Sequence, residues 1–285
     1  MATFNRSNVL PCSIGSVLRQ TLTDFELLVV GDACTDDSEA VVRGIGDPRI
    51  RWINLRANTR HQSGPNNEGL RQARGEYVAY LGHDDLWLPH HLGVLAALLD
   101  ATGAAMAHSL LALVDEDGES LRPAVPQPSR RSWGMPSCTV HRRSVTEAIG
   151  GWRDYRELDV EPEVELWRRA QARGYPFGFA PRLTGIKFPG STRRNVYRER
   201  PNHEQAAWLE RIDTTPDLEA TLLARMLVDA RDPRRTPYLD LIRSLWSETT
   251  SRARRRLGDH LGQGRIFPRR EGVDIDVARR FKGLE

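Results

Sequence analysis

Asp84 and Asp85 stand side by side directly after the apolar run at residues 77–81. Two adjacent carboxylates at the end of a buried strand are costly unless solvated, paired or neutralised by a cation. They could hold a divalent ion, or they could form a solvated cap on a helix opening near Leu86. Asp32 likewise follows an apolar run, residues 25–30 and then Gly31. A carboxylate at a strand end can accept from a base N–H or a ribose hydroxyl. It can equally cap its own loop. Further along, Glu161 and Glu163 flank Pro162, a combination that favours a helix N-terminus through the dipole, with proline in the first turn.

The elements that would position these groups are legible as alternating patterns. Residues 8–20 read as a helix with Pro11 near its first turn. Residues 25–30 (FELLVV) form a continuous apolar run, the mark of a strand buried on both faces. Residues 50–55 are the next strand, Pro65 opens a helix to about Arg74, and residues 77–81 are another buried strand. Pro89 opens a helix to about Leu99, residues 104–114 read as strand, and 115–118 as a turn. Strands alternating with helices imply an α/β fold with an open, mostly parallel sheet and right-handed crossovers. In such sheets ligands sit beyond the carboxyl ends of the strands, where the acidic clusters lie. Residues 122–131 (RPAVPQPSRR) read as a connector. After Glu204 the chain reads as mainly helical, at 204–212, 217–229 and 238–257, with a polar tail from Gly262. The division expected is an α/β half over 1–121, a smaller mixed half over 122–200 and a helical extension over 201–285.

Composition narrows the partners. The 285 residues carry 41 basic against 38 acidic side chains, net +3, which gives no global reason to expect nucleic acid. Cys12, Cys34 and Cys138 lack any CxxC spacing, which argues against a disulfide framework or structural zinc and fits a reducing cytoplasm. No apolar stretch approaches the ~20 residues of a membrane helix, so the expectation is a cytoplasmic protein, at most peripheral at the inner membrane face. The basic run 252–256 (RARRR) reads as a solvated helix face.

Four local motifs then occur in order. Thr3-Phe4-Asn5-Arg6 is followed by the run ending Val30-Gly31-Asp32, by Gly64-Pro65-Asn66-Asn67-Glu68-Gly69, and by Ala73-Arg74-Gly75-Glu76 leading to Leu81-Gly82-His83-Asp84-Asp85-Leu86-Trp87. This series resembles family 2 of the glycosyltransferases, closely from Thr3 to about Leu99 and more loosely to about Gly174. The resemblance implies the GT-A fold and transfer of a sugar from a nucleotide-diphosphate sugar to an acceptor hydroxyl, usually with inversion. It places the Asp-x-Asp motif at Asp84 and Asp85, which would hold Mn²⁺ or Mg²⁺ against the donor diphosphate. Asp32 and Thr3 would bind the nucleotide with Asn5 and Arg6 beside them, and Asn66, Asn67 and Asp84 would complete the donor side. Gly150-Gly151-Trp152-Arg153-Asp154 and Glu161-Pro162-Glu163-Val164-Glu165-Leu166-Trp167 are similar to the family's second-half signature. They align Glu163 with the catalytic base, with Asp159 and Glu161 as rivals. Lys187, Arg193 and Arg194 could fold over the diphosphate, or form a solvated basic loop. The acceptor would be a saccharide, a lipid-linked saccharide or a protein.

The chain also departs from the family, which has Asp at the places of Gly31 and Gly82 and Arg at Asn66. About six apolar residues normally precede the Thr3 motif. Here Met1 and Ala2 do, so the first strand is expected to be truncated, or the natural product to begin upstream. These departures motivate an alternative, a catalytically silent nucleotide-sugar-binding or scaffold protein. A sugar-nucleotide pyrophosphorylase would need a Gly-rich basic phosphate loop, which residues 3–15 do not resemble.

Overall fold

The computed structural model describes residues 1–126, 134–190, 192–199, 201–229, 280, 282 and 283. In chain order the first half comprises β1 (Ala2–Thr3), α1 (Leu10–Leu18), β2 (Leu27–Gly31), α2 (Ser38–Gly44), β3 (Ile50–Asn54), α3 (Ser63–Gln72), β4 (Tyr77–Ala79), β5 (Leu86–Trp87), α4 (His91–Thr102) and β6 (Met106–Val114). There follow β7 (Leu121–Ala124), β8 (Thr139–Arg142), α5 (Arg143–Ile149), α6 (Pro162–Ala172), β9 (Phe177–Lys187), α7 (Val196–Glu199), α8 (His203–Thr214) and α9 (Leu218–Asp229).

The apolar run LLVVG becomes β2, buried at every position, and it lies between β1 and β3, parallel to both. Strand β1 is as short as the sequence leads one to expect. Ala2 and Thr3 pair with Val30 and Gly31, and the Met1 amine donates to Leu28 O at 2.8 Å. Helix α1 covers this sheet with Leu10, Ile14 and Val17, which meet Val29, Leu81 and Trp87 in one core.

The second sheet runs β4-β8-β6-β9-β5, with β7 beside β6. Here β6 and β9 are parallel and the remaining pairs antiparallel. The parallel arrangement expected of the sheet is therefore carried by β1–β3 and by β6 with β9. Strands β8 and β9 come from beyond residue 121 yet insert among β4, β6 and β5, so chain from both sides of that expected boundary shares one sheet. The start of the expected connector is β7. Its Pro123 is tolerated because β7 pairs with β6 alone and sits at an edge; residues 127–131 lie outside the described residues.

Helix α4 starts two residues after Pro89 and stops at Gly103, whose φ of 67° is the left-handed conformation that glycine adopts without strain. Helices α8 and α9 bring Trp208, Ile212, Leu222 and Met226 onto Leu86, Ile186 and Phe188, joining the C-terminal helices to the sheet. The helix expected at 238–257, its basic run 252–256 and the tail from Gly262, apart from residues 280, 282 and 283, lie outside the described residues. No helix among the described residues is long and apolar enough to cross a membrane.

Candidate active site

A cleft of about 650 Å³ opens where β1, β2 and β4 end. Its walls include Thr3, Asp32, Asn66, Asp84, Glu163 and Lys187. Six separate stretches of chain thus bring their polar residues to one place, beyond the carboxyl ends of the parallel strands.

Asp84 and Asp85 sit in the loop between β4 and β5. They cap no helix: Leu86 and Trp87 are strand, antiparallel to Ile186 and Gly185. The chain turns at His83 and Asp84, the Asp85 N–H donating to Gly82 O at 3.1 Å, and across this turn the two carboxylates part. Asp84 lines the cleft. Asp85 is fully buried, and it accepts from Ser137 Oγ, from Lys187 Nζ at 2.9 Å and from the Phe188 N–H at 3.3 Å. Gly82 makes room for that inward turn, since a Cβ there would stand 2.8 Å from Asp85 Oδ2 and 3.2 Å from Asp84 Oδ1. Of the two aspartates expected at a metal, Asp84 faces the cleft, while the Asp85 oxygens are engaged by an ammonium, a hydroxyl and an amide. Burial raises the Asp84 carboxyl, but His83, Lys187, Arg6 and Lys282 nearby outweigh it and hold the group below its usual value. Burial likewise opposes charge on Lys187, yet Asp85 and Asp84 keep its ammonium protonated, above the ordinary lysine value. Among the described residues no group of three His, Cys, Asp or Glu side chains could cage a cation.

Asp32 is buried at the cleft wall. It accepts from Thr59 N and Oγ1, both at 2.8 Å, and from Arg60 N at 3.0 Å. Its carboxylate therefore anchors the loop carrying Arg60, His61 and Gln62 along the cleft. Thr3 is buried beside it with its hydroxyl unpartnered. Asn66 lines the cleft, whereas Asn5, Arg6 and Asn67 do not. The Asn5 carboxamide accepts from the Thr35 and Asp36 N–H groups at 2.8 and 3.3 Å and so braces that loop. Arg6 is fully buried; it donates to Val196 O at 2.6 Å and lies 5.1 Å from the centre of the Tyr197 ring. Asn67 exchanges two 2.8 Å hydrogen bonds with the backbone of Trp152. These three thus stand off the cleft walls: Asn5 and Asn67 spend their carboxamides within the protein, while Arg6 Nε and Nη2 are buried without a hydrogen-bond partner among the described residues.

Glu163 is in the first turn of α6, behind Pro162. The dipole and proline that position it are those the sequence announces. It lines the cleft with Asp159 and Glu161 and accepts from Gln62 Nε2 at 3.3 Å. Burial lifts its carboxyl above the ordinary glutamate value, with Glu161 adding to the rise. Of the basic trio, Lys187 reaches the cleft. Arg193 instead binds Glu204 and the carbonyl of Asp115, and Arg194 is exposed. Residues that sequence reasoning missed are Gln62, Ser137, Tyr155, Tyr197 and Lys282. They lie far apart in the chain, in no motif, and tertiary packing alone assembles them.

Comparison with known proteins gives a consistent result. The family model described as glycosyl transferase family 2 matches residues 1–145. The succinoglycan biosynthesis protein ExoO of Rhizobium meliloti is 38% identical over 122 residues, 43% of this chain and 35% of the relative. Matches to curated relatives span from about a sixth to about two thirds of those proteins' own length. Two solved structures share the fold. Staphylococcus aureus TarS 1–349 in complex with UDP-GlcNAc has a TM-score of 0.56 at 19% identity, over 80% of this chain and 70% of that one. The mannosyltransferase PcManGT from Pyrobaculum calidifontis, in complex with GDP-Man and Mn²⁺, has a TM-score of 0.53 at 14% identity, over 99% and 85%.

Proposed function

Since the chain belongs to glycosyl transferase family 2, we propose that it moves a sugar from a nucleoside-diphosphate sugar to an acceptor hydroxyl, with inversion. The observation that carries this reading is the meeting of Asp32, Asp84 and Glu163 in one cleft. A nucleotide would lie against β1 and β2, with Thr3 Oγ1 as an available hydrogen-bonding group and Asp32 holding the adjoining loop in place. The sugar would then extend toward Glu163.

Glu163 is the base. As the acceptor oxygen attacks the anomeric carbon, its proton passes to the Glu163 carboxylate. The bond from that carbon to the diphosphate oxygen breaks, and the electron pair leaves with the nucleoside diphosphate. Attack and departure on opposite faces of one centre invert it. A carboxylate whose carboxyl is lifted above its ordinary value is a stronger base for that proton than an unperturbed one. Relatives named as a succinoglycan biosynthesis protein and as a GalNAc(5)-diNAcBac-PP-undecaprenol β-1,3-glucosyltransferase make a saccharide acceptor the first to try, the protein acting without a membrane span of its own in the described region.

One solved neighbour holds Mn²⁺ with its donor. In this chain the donor set for such an ion is short: Asp84 faces the cleft, Asp85 is bound to Lys187, and position 82 is glycine. No step above runs through a metal. The test is transfer from UDP- and GDP-sugars by wild type and Glu163→Gln. The variant should lose turnover about 10²–10⁴-fold and keep donor affinity by calorimetry. Near-normal turnover would remove Glu163 as the base and turn attention to Asp159 and Glu161.

A further inference from the structure

We propose that Lys187 supplies the positive charge facing the donor diphosphate, so that nucleotide binding needs no divalent cation. This rests on the glycosyl-transfer reading of the cleft and deepens it. Three observations carry it.

First, Lys187 stands at the end of β9 with its side chain 26% exposed, while its partner Asp85 is 1% exposed. Asp85 holds one of three ammonium donors, and no other hydrogen bond from that ammonium is recorded among the described residues. The ammonium is thus fixed on its protein side and open on the cleft side, the arrangement that receives an anion without reorganising. Second, the carboxylate that would be the second ligand of a divalent ion is consumed by the same contact. A dication set against Asp84 would gain one protein carboxylate and face the ammonium of Lys187. Like charges at such range repel strongly away from bulk water. Third, position 82 cannot restore a ligand at low cost. A Cβ there would press within 2.8 Å of Asp85 Oδ2, so a carboxylate at 82 and the Lys187–Asp85 pair compete for one space. Glycine at 82 leaves free the space that the Lys187–Asp85 pair occupies.

The experiment is calorimetric titration of the full chain with UDP and with GDP, in Mn²⁺ and in excess chelator. Wild type should bind its preferred diphosphate with affinities agreeing within about threefold in the two conditions. In chelator, Lys187→Met should weaken binding about tenfold or more, as expected for loss of a charged hydrogen bond, and Lys187→Arg should retain most of it. Lys187→Met leaves Asp85 buried without its cation, so Lys187→Met with Asp85→Asn is measured as well and should show the same loss. Binding by wild type in Mn²⁺ alone, or full affinity of the Lys187→Met variants in chelator, would overturn the inference. Binding of neither diphosphate in either condition would remove the nucleotide reading of the cleft itself, and the inference with it.

Discussion

Glu163 and Asp84 are carboxylates in one cleft whose surroundings push them opposite ways. Burial lifts Glu163. Asp84 feels burial too, but His83, Lys187 and Arg6 prevail and hold it down. Two acids separated in this manner can take different roles at one pH: Asp84 stays ionised, while Glu163 can both take and hold a proton. The acidic limb of kcat/KM should therefore fall above the ~4.3 of an ordinary glutamate, with activity present above it and lost tenfold per pH unit below it. A pH–rate profile of wild type measures this. A limb at or below that value would remove Glu163 as the base and turn attention to Asp159 and Glu161. Residue types told much of this in advance, since motif order placed Asp84 and Glu163. It could not tell which of two adjacent aspartates faces the cleft, because direction depends on what packs behind the loop, here Ser137 and Lys187. Asn5 and Asn67 misled for a related reason. Asparagine beside a motif is equally suited to binding a ligand and to pairing with backbone.

The segment Gly150-Gly151-Trp152 lies between α3 and α6, the helix that carries Glu163. Asn67 of α3 pairs with both backbone groups of Trp152, and a Cβ at Gly151 would strike Asn67 Oδ1 at 2.2 Å. From the other side Arg169 of α6 donates to the carbonyls of Ile149, Gly150 and Gly151, and Glu165 holds it there. The glycines let two polar side chains close on the chain from opposite directions. Asn67→Ala should cost about 1–3 kcal/mol by leaving the Trp152 amide and carbonyl unpaired. It should also lower kcat while leaving the donor dissociation constant unchanged, because α6 loses its registration with α3. Urea denaturation and steady-state kinetics read the two effects separately, and an unchanged kcat would reduce the contact to a purely stabilising one. The glycine pair was visible in the sequence; its clamp was not, since the partners lie 85 residues away in one direction and about 18 in the other. Elements show the same limit. Long runs such as that of β2 announce themselves, but β5 has two residues and β7 contains a proline, too little periodicity to read. The pairing of β8 and β9 with β4, β5 and β6 is non-local, and no local pattern encodes it.

On the scale of the whole molecule, the two sheets enclose an interior that is polar in places, and that makes the fold sensitive to acid. His91, His108 and His141 are each at most 1% exposed. His91 stacks on Trp87 with ring centres 4.2 Å apart and bonds Thr184 Oγ1. His108 bonds Thr139 Oγ1 at 2.8 Å, and His141 meets the Tyr80 hydroxyl at 3.1 Å. Burial depresses all three, His91 to about 3 and the other two to about 4, with His90 beside His91 and His141 beside His108 adding to the effect. An unfolded chain protonates each near 6.5. Between about pH 6.5 and 4 the unfolded state thus binds more protons than the folded one, and stability falls as pH falls through that window. At pH 5.5 each histidine shifts the balance by about 1.4 kcal/mol, roughly 4 kcal/mol for the three, a large part of the ~5–15 kcal/mol that holds a typical domain together. Urea denaturation at pH 7.5, 6.5 and 5.5 should show stability nearly level over the first interval and falling over the second. His108→Gln, which cannot titrate, should make that fall shallower even if it lowers stability at pH 7.5. A flat profile from pH 7.5 to 5.5 in wild type would mean that these rings gain no protons on unfolding, and that the burial which keeps them neutral is not what the packing of the two sheets implies.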